Sequence, residues 1–182
     1  MEIQQHQDID RILFTEEELH ARVAEMGAQI TKDYEGEEVI VISVLRGAAI
    51  FMADLVRELK LPIEMDFMAV SSYGNEAKSS GRVRILKDLS SEIKGKHVLI
   101  AEDILDSGLT LNYLLKVLGE RKPASIEIAS LLVKTGMQKA DIDCKYIGFE
   151  CPNEFIVGYG LDYAERYRNL PYIGVLKREL YQ

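Results

Sequence analysis

An α/β fold, with a mainly parallel central sheet flanked by helices, is expected from three features of the chain. Val39 to Leu45 (VIVISVL) is a continuous apolar run of strand length, rich in β-branched residues, as strands buried on both faces are. Ile126 to Val133 is a second such run. Val98 to Ala101 is a third and shorter one; it stops at Glu102 and Asp103 and leads through Asp106-Ser107-Gly108 into Leu109-Thr110-Leu111, which reads as strand, acidic turn, helix. With 182 residues, 47% of them apolar and 29% charged, one domain spanning residues 1–182 is expected, with a core of its own.

The elements follow in order. Thr15-Glu16-Glu17-Glu18 is a capping box, and Leu19, Val23, Met26 and Ile30 recur behind it at helical spacing, so a first helix is expected to end near Tyr34-Glu35-Gly36. After the Val39 to Leu45 strand, Arg46-Gly47-Ala48-Ala49 opens a helix carrying Ile50, Met52, Leu55, Val56 and Leu59. Ile63 to Ser71 and Arg82 to Leu86 read as two strands joined by a polar connection, Ser71 to Gly81, long enough to suggest a mobile lid. His97 to Ile104 is the next strand, and the helix behind it, with Leu111, Leu114, Leu115 and Leu118, is stopped by Arg121-Lys122-Pro123. Lys134 follows the Ile126 to Val133 strand at its carboxyl end. Tyr146 to Glu150 and Phe155 to Tyr159 are expected to pair as short strands about Pro152, and Tyr172 to Leu176 closes the chain with another.

Charge and composition exclude several function classes. A net charge of -8 argues against a nucleic-acid surface or an anionic membrane partner, both of which select a basic face. Any polyanionic ligand must therefore be held by local amides, a few cations and metal. No apolar run approaches the ~18 residues of a membrane span. The start, MEIQQHQDIDRILFT, lacks a basic segment followed by an apolar one, so a cytoplasmic protein is expected. Cys144 and Cys151 lack CxxC spacing and read as small core or surface thiols.

The chemistry is concentrated in VLIAEDILDSGLTL, Val98 to Leu111. A parallel strand that ends at a helix start places the turn at the carboxyl edge of the sheet, where such folds bind ligands. The amides of Ser107 to Thr110 at the helix start, with the Ser107 and Thr110 hydroxyls, form a candidate anion cradle that Gly108 lets a ligand approach closely. Three acids beside a phosphate cradle make sense for a sugar phosphate. Its ring hydroxyls donate to carboxylates, and a magnesium ion can sit between acids and a diphosphate.

The same stretch resembles the phosphoribosyl pyrophosphate (PRPP) binding motif of the type I phosphoribosyltransferases, in the form found in hypoxanthine-guanine phosphoribosyltransferases, with Ala101 as a departure from the usual larger residue. LRG at Leu45 to Gly47, SSYG at Ser71 to Gly74, LLVKTG at Leu131 to Gly136 and FECPNEFIVGYGLDYAERYRNLPYIGV at Phe149 to Val175 resemble other segments of that family, in its order and spacing. The resemblance implies a single type I phosphoribosyltransferase domain with a small hood, drawn from the N-terminal segment and residues from about 145 to 182, and a lid loop.

It further implies a purine-salvage enzyme that uses Mg2+ to transfer the phosphoribosyl group from PRPP to hypoxanthine or guanine, giving IMP or GMP. Glu102 and Asp103 would hold the ribose hydroxyls directly or through magnesium, and Asp162 would bind a second magnesium. Asp106 would be the general base, and Ser107, Gly108, Leu109 and Thr110 would receive the 5'-phosphate. Arg46, the Gly47 amide and Arg168 would hold the pyrophosphate, with a strained Leu45–Arg46 peptide whose cis or trans form the resemblance leaves open. Phe155 and Ile104 would sandwich the purine, Lys134 would read its 6-oxo group, and carbonyls near Ile156 and Asp162 would receive a 2-amino group. Ser72 and Tyr73 are the implied lid contacts, and a homodimer or homotetramer the implied assembly.

Two other readings compete. A PRPP-sensing regulator on the same fold would bind without turnover, but one acting on nucleic acid needs a basic surface. A receiver-type signalling domain would spread its acids over separate strands, whereas here they share one turn.

Overall fold

The computed structural model describes residues 6–72 and 83–182. Its order of elements is β1 (Ile9–Phe14), α1 (Glu16–Asp33), β2 (Val39–Leu45), α2 (Ala48–Glu58), β3 (Ile63–Ser72), β4 (Val83–Lys87), β5 (His97–Leu105), α3 (Leu109–Gly119), β6 (Ser125–Lys134), β7 (Tyr146–Cys151), β8 (Ile156–Val157) and β9 (Ile173–Leu176), then a 3-10 turn at Arg178–Leu180. Six strands form one sheet in the order β4-β3-β2-β5-β6-β7. Its pairs are parallel except β3 with β4. This is the expected α/β architecture.

The apolar run of β2 is explained by burial on both faces. Successive side chains of a strand point to opposite sides. Val39 and Val41 therefore pack with Leu19, Val23 and Met26 of α1 and Phe51, Met52 and Leu55 of α2. Ile40 and Ile42 face the other way, toward Leu111, Leu114 and Leu118 of α3. The capping box starts α1 as read: Thr15 accepts from the Glu18 amide and the Glu18 carboxylate accepts from the Thr15 amide. Both cysteines are free.

One element was not expected, and one expectation needs correction. Ile9–Phe14 is a strand that the sequence reading did not assign; it pairs antiparallel with β9, which also pairs with β8, in a second sheet of order β1-β9-β8. The strands around Pro152 do not pair with each other. β7 closes the main sheet beside β6, while β8 belongs to the second sheet. β5 runs to Leu105, one residue past the expected Ile104, beside its parallel partner β6 as far as Val133, so Glu102 and Asp103 lie within the strand and not in the turn after it. Of the expected lid, Tyr73 and the rest of the connection to Gly81 lie outside the described residues; Ser72 is the last residue of β3.

Asp66, on β3, ties the segment after β4 to the sheet. Its buried carboxylate accepts from the amides of Ser90 (2.7 Å), Ser91 (2.8 Å) and Phe67 (2.7 Å) and from Lys87 Nζ (3.4 Å). Burial pushes its pKa up, but these amides and the lysine outweigh burial, and the net result lies below the ordinary 3.8. A carboxylate depressed on folding stabilises the fold above its unfolded pKa, and that contribution disappears as pH falls through the folded value. Asp66→Ala is therefore expected to cost about 2–3 kcal/mol at neutral pH, by removing a charged acceptor and leaving three amides without it. Denaturant titrations at pH 7 and below pH 4 check it: the gap between wild type and variant should shrink in acid.

Candidate active site

The sheet order creates the site. From β2 the chain crosses to β3 on one side, and from β5 it crosses to β6 on the other, so the carboxyl ends of adjacent β2 and β5 diverge. Open α/β sheets bind ligands in the crevice at such a reversal. Here the crevice is a cleft of about 300 Å3, lined by Val44 to Gly47 from the β2–α2 turn and by Glu102 to Gly108, Thr110 and Leu111 from the β5–α3 turn.

The start of α3 is open toward this cleft. Its N-cap is Gly108 at φ +74°, with no side-chain cap and no acid in the first turn. A Cβ there would meet only the movable tip of Ile142, Cδ1 at 2.6 Å, so it is the left-handed conformation that favours glycine. The first-turn amides of a helix lack intrahelical partners, and here neither a capping side chain nor a first-turn carboxylate offsets them. That leaves a helix start whose free amides are suited to an anion. The Ser107 carbonyl accepts from the amides of Lys139 (2.9 Å) and Ala140 (3.3 Å), which braces the turn from behind.

The acids lie at the end of the strand. Burial, followed by the neighbouring Asp103, pushes the Glu102 carboxyl well above its ordinary range. Burial also raises Asp103, partly offset by the amides of Ile104 and Asp103 and by Arg168, while Asp162 adds to the rise. Asp103 crowds the β2–α2 turn: a Cβ at Gly47 would run into its carboxylate and come within 3.2 Å of the Gly160 carbonyl. Glycine at 47 thus admits both the acid and the 158–168 segment. The Leu45–Arg46 peptide is cis.

A second cleft, about 350 Å3, shares Asp103, Ile104 and Asp106 with the first and is completed by Lys134, Phe155, Ile156, Leu161, Asp162 and Arg168. Lys134 Nζ lies 3.6 Å from Asp106 Oδ2; the lysine side chain is 14% exposed and the aspartate 49%. Phe155 is backed by the Tyr181 ring, stacked at 4.8 Å, and by the edge-on Tyr163 ring at 5.3 Å. Arg168 donates to the Gly160 carbonyl (2.7 Å) and pairs with Asp162 (3.0 Å), while its Nε is buried without a partner.

Every predicted site residue in the described segments thus falls in two adjoining clefts, apart from Leu109 beside Gly108 and Ser72 at the end of β3. A larger cavity, about 860 Å3, opens beyond Phe155 against the C-terminal residues. It contains neither the strand-end acids nor the bare helix start, so chemistry rather than size selects the site.

Comparison with known proteins agrees with this geometry. Residues 13–164 match the phosphoribosyl transferase domain family. The hypoxanthine-guanine phosphoribosyltransferase of Bacillus subtilis is 54% identical over 96% of this chain and 97% of that protein. The chain belongs to the hypoxanthine-guanine phosphoribosyltransferase family. A Staphylococcus aureus protein of the same description is 50% identical over 97% of this chain and 98% of its own. A crystal structure of a hypoxanthine phosphoribosyltransferase from Staphylococcus aureus superposes with a TM-score of 0.95 at 50% identity, covering 97% of this chain and 96% of that one.

In this phosphoribosyltransferase two site features escaped the sequence reading. Leu161 lines the second cleft, and Glu165 bonds Arg46 at 2.8 Å and approaches Arg168 at 3.4 Å. In LDYAERYRN, Glu165 carries no signal that separates it from a solvated turn acid.

Proposed function

We propose that this single-domain protein transfers the 5-phosphoribosyl group of PRPP to N9 of hypoxanthine or guanine, releasing pyrophosphate and forming IMP or GMP, with xanthine as a further candidate base. The observation that carries the reading is the adjacency of an uncapped helix start to a cleft holding a donor–acceptor pair, Lys134 and Asp106, 3.6 Å apart.

Each group has a task. Amides and hydroxyls from Ser107 to Thr110 hold the 5'-phosphate. Glu102 and Asp103 face the ribose hydroxyls, and the charge that burial makes unfavourable in them is relieved as the ring becomes cationic. Arg46, the Gly47 amide and Arg168 face the leaving diphosphate. The purine slides between Phe155 and Ile104, with carbonyls near Ile156 and Asp162 reading a 2-amino group. The lone pair of N9 attacks C1', the C1'–O bond to pyrophosphate breaks, and Asp106 accepts the proton of N7.

The neighbouring 6-oxo oxygen accepts from Lys134, so the ion pair of the ligand-free site gives way to two hydrogen bonds along one edge of the base. Adenine would set an amine against the ammonium, donor to donor. A site built to hydrogen-bond one group rejects an analogue that leaves it unpaired by about 10⁴ or more.

Among the described residues no three His, Cys, Asp or Glu side chains converge into a protein-only metal cage. All-oxygen donors at Glu102, Asp103 and Asp162 suit magnesium, which is commonly bound by one or two carboxylates plus substrate phosphates. Bound there, the ion would offset charge on the departing diphosphate. Ser72 and Tyr73 remain the proposed ligand contacts of the connection between β3 and β4, most of which lies outside the described residues.

No helix among the described residues is long and apolar enough to cross a membrane. A cytoplasmic homodimer or homotetramer, with neither nucleic acid nor membrane as partner, fits the acidic charge and the family. The test is a steady-state assay with PRPP and magnesium against hypoxanthine, guanine, xanthine and adenine. Turnover of hypoxanthine or guanine with adenine blank supports the reading; adenine turnover at a similar rate refutes it.

A further inference from the structure

We infer that Glu165 is an internal counter-anion that holds the guanidiniums of Arg46 and Arg168 in the empty site and competes with pyrophosphate for them. The inference rests on the pyrophosphate clamp proposed above and assigns a residue that governs product release.

The two arginines come from different parts of the fold. Arg46 follows β2, and Arg168 lies in the 158–168 segment, where it also pairs with Asp162 at 3.0 Å. Glu165 Oε2 lies 2.8 Å from Arg46 and 3.4 Å from Arg168, so one carboxylate oxygen bridges both. Arg46, and to a lesser degree Arg168, hold the Glu165 carboxyl below its ordinary range.

The backbone offers an independent observation. Tyr163 and Arg166 exchange backbone hydrogen bonds of 3.2 and 3.0 Å around a two-residue turn, Ala164 at φ +50° and Glu165 at φ +63°. Paired left-handed residues at such a turn favour Asn-Gly, and Ala-Glu is unfavourable there. An outlier of this kind points to function when something is gained from it. The gain here is placement: the Glu165 amide donates to Asp162 at 2.9 Å while its carboxylate reaches the arginines.

A carboxylate carries one charge, whereas a diphosphate carries several and can engage both guanidiniums at once. The diphosphate therefore displaces Glu165 on arrival. As it leaves, the tethered carboxylate is already within reach and reclaims the arginines, so rebinding is opposed by an anion of high local concentration. Glu165 acts through the two arginines as a positioning residue and weakens retention of the product.

Glu165→Gln keeps the size and the exposed location and removes the charge. Pyrophosphate inhibition of the full-length enzyme, measured at fixed magnesium, is expected to strengthen about two- to tenfold, the range that two exposed ion pairs support. The KM for PRPP should fall in parallel and the KM for hypoxanthine should stay constant; a purely structural role would yield no gain of binding. Glu165→Asp, which retains the charge, should remain near wild type. Unchanged or weakened pyrophosphate inhibition in Glu165→Gln would overturn the inference. Arg168→Ala separates the two levels: if it impairs pyrophosphate inhibition while Glu165→Gln behaves as wild type, this inference alone fails, and if it has no effect the clamp fails as well.

Discussion

Asp106→Asn is expected to lower turnover of hypoxanthine by about 10²- to 10⁴-fold, the range in which one positioned proton acceptor contributes. Asparagine keeps the volume and a carbonyl oxygen, but it cannot take the N7 proton as the N9–C1' bond forms. The 5'-phosphate cradle is built from the amides of the α3 start, which the substitution leaves in place, so PRPP should bind within a few-fold of wild type. The expected signature is a fall in kcat with little change in the PRPP dissociation constant. Unchanged turnover would remove Asp106 from its role. A comparable loss of PRPP affinity would show that Asp106 holds the sugar rather than the base.

Lys134→Met should have the second large effect. Methionine preserves much of the length and packing of a side chain that is mostly buried at the end of β6. What it removes is the charged donor to the 6-oxo oxygen, and hydrogen bonds to charged groups are worth about 1.5–3 kcal/mol, or about 10- to 100-fold in kcat/KM. Adenine loses nothing by the change, since its amine no longer opposes an ammonium. Discrimination between hypoxanthine and adenine should therefore shrink by at least about 10- to 100-fold. A retained preference of the wild-type size would move the reading of position 6 elsewhere in the cleft.

How much of this was visible in the residues depended on how local the cause was. β2 was legible because burial on both faces leaves an uninterrupted apolar run. Lys134 was legible because a strand-terminal lysine at the ligand edge can be placed by counting along β6. β1 was not: IDRILF carries a charged pair, and it is a strand because β9 pairs with it. The end of β5 was legible to within one residue, while the place of Glu102 and Asp103 inside the strand rests on parallel pairing with β6. The α3 start was read from its residues as a candidate anion cradle, and one feature that supports this emerged only in three dimensions: neither Asp106 nor Ser107 caps the helix. Glu165 was invisible because its partners lie on a turn 119 residues away and on its own hairpin.

The most direct test is a crystal structure of the protein with IMP or GMP bound. The monophosphate should sit against the amides of Ser107 to Thr110, with the purine beside Lys134 and Phe155. Density for the phosphate anywhere else, above all in the larger cavity beyond Phe155, would contradict the account.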